Sequence, residues 1–142
     1  MRIRRATIDD APALVPLFAA WGYPQPAERI AARLPEWEGP QRALLVAEAV
    51  DDLAGFVAVC TTPHLALPGV FGRVIGLAVG PAHRRRGVGA ALLDAAEALG
   101  REWGCDRMEI TTSRLRPEAS HFYAARGYDD RCGRSARFIR PL

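Results

Sequence analysis

Residues 84–90 read Arg84-Arg85-Arg86-Gly87-Val88-Gly89-Ala90 and hold the densest chemical content of the chain. Glycines at 87 and 89 let a backbone approach an anion without interference from a Cβ. A helix that opens at Gly87 leaves several first-turn N–H groups unpaired at the positive end of its dipole. Three guanidiniums beside such a turn describe a receptor for phosphate or pyrophosphate. A dinucleotide-binding turn wants a third glycine where this chain has Leu92, and a nucleoside-triphosphate loop wants Gly-Lys-Ser/Thr, whereas the chain has no lysine. The pattern that survives is Arg-x-x-Gly-x-Gly.

A second segment reads Arg116-Pro117-Glu118-Ala119-Ser120-His121-Phe122-Tyr123-Ala124-Ala125-Arg126-Gly127-Tyr128. Pro117 and Gly127 bracket a helix over 117–126 that carries the pair Phe122-Tyr123. A glycine-opened helix beside solvated arginines is the bland reading of the first segment, and it gives no account of Tyr123. Cys60, Cys105 and Cys132 are odd in number and widely spaced, so they form neither a disulfide framework nor a zinc-ligand set.

The elements that must position these residues follow from the apolar spacing. Ile3 marks a short first strand. Thr7-Ile8-Asp9-Asp10 has capping-box spacing and opens a helix carrying Leu14, Val15, Leu17, Phe18 and Trp21, which Pro16 should bend. Ile30, Ala31 and Leu34 mark a second helix, stopped by Pro35. Strands over 43–50 and 53–60 join at Asp51-Asp52, residues 62–69 read as a loop, and a strand over 74–79 stops at Gly80-Pro81. The next helix sets Val88, Leu92, Ala95 and Leu99 on one face and Arg85, Asp94 and Arg101 away from it, ending at Gly104. A strand around Met108 and Ile110, the 117–126 helix and one or two closing strands from Tyr128 to near Ile139 complete the order. That order predicts a mixed sheet with helices on its faces.

Residues 77–93, from Leu77-Ala78-Val79-Gly80-Pro81 through the arginine turn to Leu92-Leu93, together with 116–128, resemble the GNAT superfamily of acyl-CoA-dependent N-acyltransferases. The resemblance covers 72–128, with both motifs in the family's order. It implies an α/β fold of the α+β mixed-sheet type in one domain, 1–142, with a central twisted sheet of about six to seven strands flanked by about four helices. It implies acetyl-CoA lying in a V between the 74–79 and 108–112 strands. Backbone groups of Leu77, Ala78 and Val79 would pair with the pantetheine arm, one amide facing the thioester oxygen. Arg84, Arg85, Arg86, Gly87, Val88, Gly89 and Ala90 would hold the pyrophosphate. The acceptor amine would attack directly, in a ternary complex, and Tyr123 would protonate the departing thiolate.

The family often draws a general base from an acidic residue on its fourth strand, where this chain carries Ile75 and Gly76. Glu48, Glu109, His64 or water remain as proton acceptors. Trp21, Tyr23 and Trp37 fall where the family builds its acceptor-side wall. The resemblance leaves open a small-molecule or peptide amine as acceptor, a homodimer as assembly, and, as an alternative function, an acyl-CoA-binding sensor without turnover.

The bulk numbers agree with one such domain. The chain has 142 residues, 49% hydrophobic and 25% charged, which suits a globular protein. All nineteen basic residues are arginine and the net charge is +3, a modest positive field that would recruit an anionic cosubstrate. The arginines are spread along the chain without interleaved aromatics, which argues against nucleic acid. No apolar run is long enough to span a membrane, and the opening residues lead into no signal core, so the cytoplasm is the expected compartment. No metal is expected.

Overall fold

The computed structural model describes residues 1–133 and 137–142, and its backbone divides into two units, Met1–Ile110 and Thr111–Leu142. In the first, strand β1 (Arg2–Arg5) leads through a 3-10 turn, Ile8–Asp10, into helix α1 (Ala11–Trp21). The expected capping box is there: Thr7 N–H donates to Asp10 Oδ2 at 2.7 Å. Arg4 grips the same carboxylate through two N–H groups, at 2.7 and 2.8 Å, and also donates to Glu48. Asp10 is the one buried charged side chain among the described residues, and this bidentate partner is what makes its burial tolerable. Helix α1 runs unbroken through Pro16. Helix α2 (Ala27–Arg33) continues into a 3-10 turn, Leu34–Trp37.

Strands β2 (Arg42–Glu48), β3 (Leu53–Pro63) and β4 (Val70–Val79) form an antiparallel meander with β1 on its edge. Helix α3 (Val88–Glu102) then returns the chain so that β5 (Cys105–Ile110) lies parallel to β4. On one face Leu44, Val46, Phe56, Ala58 and Ala78 pack with Leu14, Leu17, Ile30 and Leu34 of the α1 and α2 region. Helix α3 buries Val88, Leu92, Leu93, Ala96 and Gly100. Both faces of β2 and β3 are therefore covered, which is why these strands read as continuous apolar runs rather than alternating ones. Each large side chain so buried contributes about 1.5 to 3 kcal/mol.

Three expectations need correction. The apolar stripe of α3 is centred on the 88, 92, 96, 100 row with Leu93, while Ala95 and Leu99 lie half-buried on its flank. The loop read over 62–69 begins two residues later, at 64: Thr62 still pairs with Phe71 and Pro63 with Val70, and 64–69 connect the two strands. Pro63 is tolerated as the last strand residue, where no further ladder donor is needed. The sheet has five strands among the described residues, not six to seven.

The second unit contains helix α4 (Pro117–Ala125), which brings the α-helices among the described residues to four. The closing strands expected over 128–139 are not formed at 128–133 or at 137–142, and residues 134–136 lie outside the described residues. The reason is local. Asp130 Oδ1 accepts the N–H of Cys132 at 2.9 Å, and the same carboxylate holds Arg114 at 3.1 Å. A side chain bonding the backbone two residues on bends the chain away from an extended ladder.

Candidate active site

The first unusual feature lies in the middle of β4. Ala58 of β3 pairs with Gly76, but its neighbour Val59 pairs with Val74, so Ile75 is the extra residue of a bulge. The last pair between β4 and β5 is Val74 with Ile110. From Ile75 to Val79, β4 therefore pairs with β3 and no longer with β5, with Val57, Phe56 and Gly55 opposite Leu77, Ala78 and Val79. Gly80 N–H donates to Ala54 O of β3 at 2.8 Å. By the alternation of a ladder, Leu77 and Val79 turn both backbone groups to the opposite edge, where β5 no longer runs. On that edge Val79 O accepts Arg84 Nε–H at 3.3 Å. Strand donors and acceptors beyond the end of the β5 pairing suit an extended amide-bearing arm.

The second feature follows directly in the chain. A 3-10 turn, Pro81–His83, leads to exposed Arg84, Arg85 and Arg86. Arg85 has φ 61, the one positive-φ residue other than glycine among the described residues, and that conformation costs a side-chain-bearing residue about 1 kcal/mol. Gly87 caps α3 at φ 79, where the absence of a Cβ removes the same penalty. No side chain caps this end, and the first helical bond is Ala91 N to Gly87 O at 3.0 Å. The N–H groups of Val88, Gly89 and Ala90 precede it, at the positive end of a 15-residue helix. Val88 is buried and anchors the turn, and Gly89 and Ala90 are half-buried.

On the α1 side the aromatic residues are organised around Gly76. A Cβ built there would collide with the Trp21 ring. Trp21 in turn meets Phe18, Tyr23 and Phe56, with ring centres 5.8, 4.6 and 5.6 Å apart. Trp37 is half-buried against the same core, while Tyr23 is 61% exposed.

Each of the three candidate proton acceptors is engaged by other groups. Glu48 takes a hydrogen bond from Arg4 and faces Arg2 at 3.9 Å. His64 Nδ1 accepts the N–H groups of Ala66 and Leu67 at 3.2 and 3.0 Å, closing the β3–β4 hairpin. Glu109 on β5 has one oxygen 3.7 Å from Arg73 and the other 3.3 Å from Arg107. Burial pushes the Cys60 and Cys105 thiols up, away from thiolate character. Among the described residues no group of three or more His, Cys, Asp or Glu is placed to hold a metal.

Tyr123 belongs to the second unit. Gly127, at φ 86, ends α4, with Gly127 N–H donating to Ala124 O at 3.0 Å and Tyr128 N–H to Tyr123 O at 3.1 Å. This is a Schellman motif, which brings together the side chains of the residues at its two ends. Those residues are Tyr123 and Tyr128, with ring centres 6.0 Å apart, and Phe122 lies 5.2 Å from Tyr123. Burial raises the Tyr123 hydroxyl above the ordinary tyrosine range.

His83, beside the exposed arginine run, is itself half-buried. The His83 side chain is 19% exposed, and its Nε2 lies 3.1 Å from Asp52 Oδ2 of the β2–β3 turn. Position next to an arginine run gives no signal for such a partner.

A family model for the acetyltransferase (GNAT) family matches residues 10–128. Among solved structures, a transcriptional regulator from Bacillus halodurans C-125 is 26% identical, with a TM-score of 0.83 over 99% of this chain and 98% of that one. A ribosomal-protein-alanine N-acetyltransferase from Brucella melitensis biovar Abortus 2308 is 21% identical, TM-score 0.81, over 99% of both chains. An aminoglycoside acetyltransferase from an uncultured soil metagenomic sample, in complex with sisomicin, is 16% identical, TM-score 0.76, over 99% and 95%. No curated protein sequence matches the chain.

Proposed function

This chain belongs to the acetyltransferase (GNAT) family, and on that premise we propose that it transfers an acetyl group from acetyl-CoA to a primary amine of a small molecule or peptide. The proposal takes residues 1–142 as one working domain, in the cytoplasm, with direct attack by the amine in a ternary complex. The observation that carries it is the uncapped N-terminus of α3, flanked by Arg84, Arg85 and Arg86 and following the open edge of β4. In this reading Val88, Gly89 and Ala90 offer N–H groups to the diphosphate, and Gly87 keeps the approach clear. Leu77, Ala78 and Val79 align the pantetheine arm, Leu77 and Val79 by their outward backbone groups. Tyr123 gives its proton to the leaving sulfur, a role suited to a hydroxyl that burial keeps protonated. With Glu48, His64 and Glu109 held by other groups, the acceptor's proton goes to water.

The test is binding. Acetyl-CoA at a hundredfold excess over its dissociation constant should raise stability by about 2.7 kcal/mol, read as a higher thermal midpoint. Gly89→Leu should abolish the rise while leaving the circular dichroism spectrum unchanged. No shift at millimolar acetyl-CoA would sink the assignment.

A second reading, an acyl-CoA-binding sensor, has two observations in its favour. Position 76 carries no carboxylate, and the Trp21 ring fills the space where a side chain would stand. The relative at 26% identity is described as a transcriptional regulator. Release of free CoA across a panel of amines separates the two readings, because a sensor binds and releases none.

A further inference from the structure

We propose that His83 and Asp52 form a positioning pair that sets the arginine turn for the diphosphate of an acyl-CoA; the inference rests on the function proposed above. The chain between β4 and α3 must hold Arg85 in a left-handed conformation, and a strained residue persists only where its surroundings hold it. Two tethers tie the start of this connection to the β2–β3 hairpin. The register of that hairpin slips between Ala47, opposite Gly55, and Glu48, opposite Leu53, which leaves Ala54 as the extra residue. Ala54 O, the next position on β3 after the Gly55–Val79 pair, accepts Gly80 N–H at 2.8 Å. The second tether is His83 Nε2 to Asp52 Oδ2, at 3.1 Å. An ionised carboxylate only accepts, so the imidazole donates from Nε2.

The ring is placed for this. His83 N–H closes the 3-10 turn on Gly80 O at 2.8 Å. A Cβ at Gly80 would lie 3.5 Å from His83 Cδ2, so the imidazole packs on the bare glycine and reaches across to the hairpin. Arg84 follows at once and is folded back on Val79 O. Both tethers thus precede the strained segment, and the guanidiniums extend from a base fixed on two sides. A hairpin residue 31 positions earlier in sequence thereby orients a ligand site that it does not touch.

Charge separates this role from simple electrostatics. Removing the Asp52 carboxylate deletes a negative charge near an anion site, which alone would favour an anionic ligand. Positioning predicts the reverse. Asp52→Ala and His83→Ala should each weaken acetyl-CoA binding about tenfold by calorimetry, the scale of one lost hydrogen bond. Asp52→Asn keeps an oxygen for the Nε2–H and should bind as well as wild type or better. S-acetylpantetheine, which lacks the diphosphate, should bind all four proteins equally. With an acceptor in hand, the Ala variants should show the loss in KM for acetyl-CoA, with kcat within about twofold. Wild type that binds no acetyl-CoA overturns the function and this proposal with it. Wild type that binds, with both Ala variants matching it, overturns the proposal alone. So does a loss in Asp52→Asn equal to that in Asp52→Ala, or an equal loss of S-acetylpantetheine affinity.

Discussion

Tyr123→Phe removes one oxygen atom, and the structure limits what else that change can do. The ring is held by the Schellman motif at the end of α4, through the contact with Tyr128 and the backbone bond from Tyr128 N–H to Tyr123 O. Phenylalanine preserves both. Among the described residues no hydrogen bond to the Tyr123 hydroxyl is found, so its loss orphans no protein partner. The stability change should therefore stay below about 1 kcal/mol. If the hydroxyl protonates the leaving thiolate, turnover should fall by about 10² to 10⁴, equivalent to about 2.7 to 5.4 kcal/mol of transition-state stabilisation. The affinity for acetyl-CoA should be nearly unchanged, because the hydroxyl acts on the departing sulfur and little in the ground state. Burial raises the hydroxyl above its ordinary value of about 10, so an acceptor amine of low pKa should be acetylated at a rate that holds to about pH 10 and declines only beyond it. The Phe variant should lack that decline. Free thiol released from acetyl-CoA, followed against pH in both proteins, reads rate and profile together. A Phe variant that turns over at the wild-type rate would remove Tyr123 from the mechanism and leave solvent as the proton source.

One further prediction concerns the first unit, and another the acceptor amine. Arg4→Ala leaves the buried Asp10 carboxylate without its bidentate partner and should cost about 3 kcal/mol in urea unfolding, with the slope unchanged. Because Arg4 holds Asp10 below the usual carboxylate range, this contribution is present above the unfolded value of about 3.9 and is lost as pH falls through the folded one. The wild-type advantage over Arg4→Ala should therefore shrink in acid. For the acceptor, an alkylamine of pKa about 10.4 lies about 4 kcal/mol from its neutral form at pH about 7.5. With water as the proton acceptor, kcat/KM should rise about tenfold per pH unit, and its plateau should follow the pKa of each amine tested. A plateau at one pH for every amine would instead reveal an enzyme base.

What the sequence by itself determined is local. Gly87 and Gly89 after three arginines, the helical spacing of Val88 and Leu92, and Gly127 closing the helix that carries Tyr123 all depend on φ, ψ and hydrogen bonds between near neighbours. These are properties that residue type controls directly. Tertiary structure decided everything that depends on register between distant strands. The bulge at Ile75, the end of β4–β5 pairing at Val74, the Trp21 ring over Gly76 and the Asp52–His83 tether join residues tens of positions apart. The engagement of Glu109 by Arg73 is of the same kind, since only the parallel pairing of β4 and β5 puts that carboxylate opposite that guanidinium. At the described residues 128–133 and 137–139 the closing strands are not formed, for the complementary reason. Residues 128–139 carry an apolar pair at Phe138 and Ile139, but the Asp130 turn satisfies its own backbone locally, and a strand needs a partner that spacing alone does not supply.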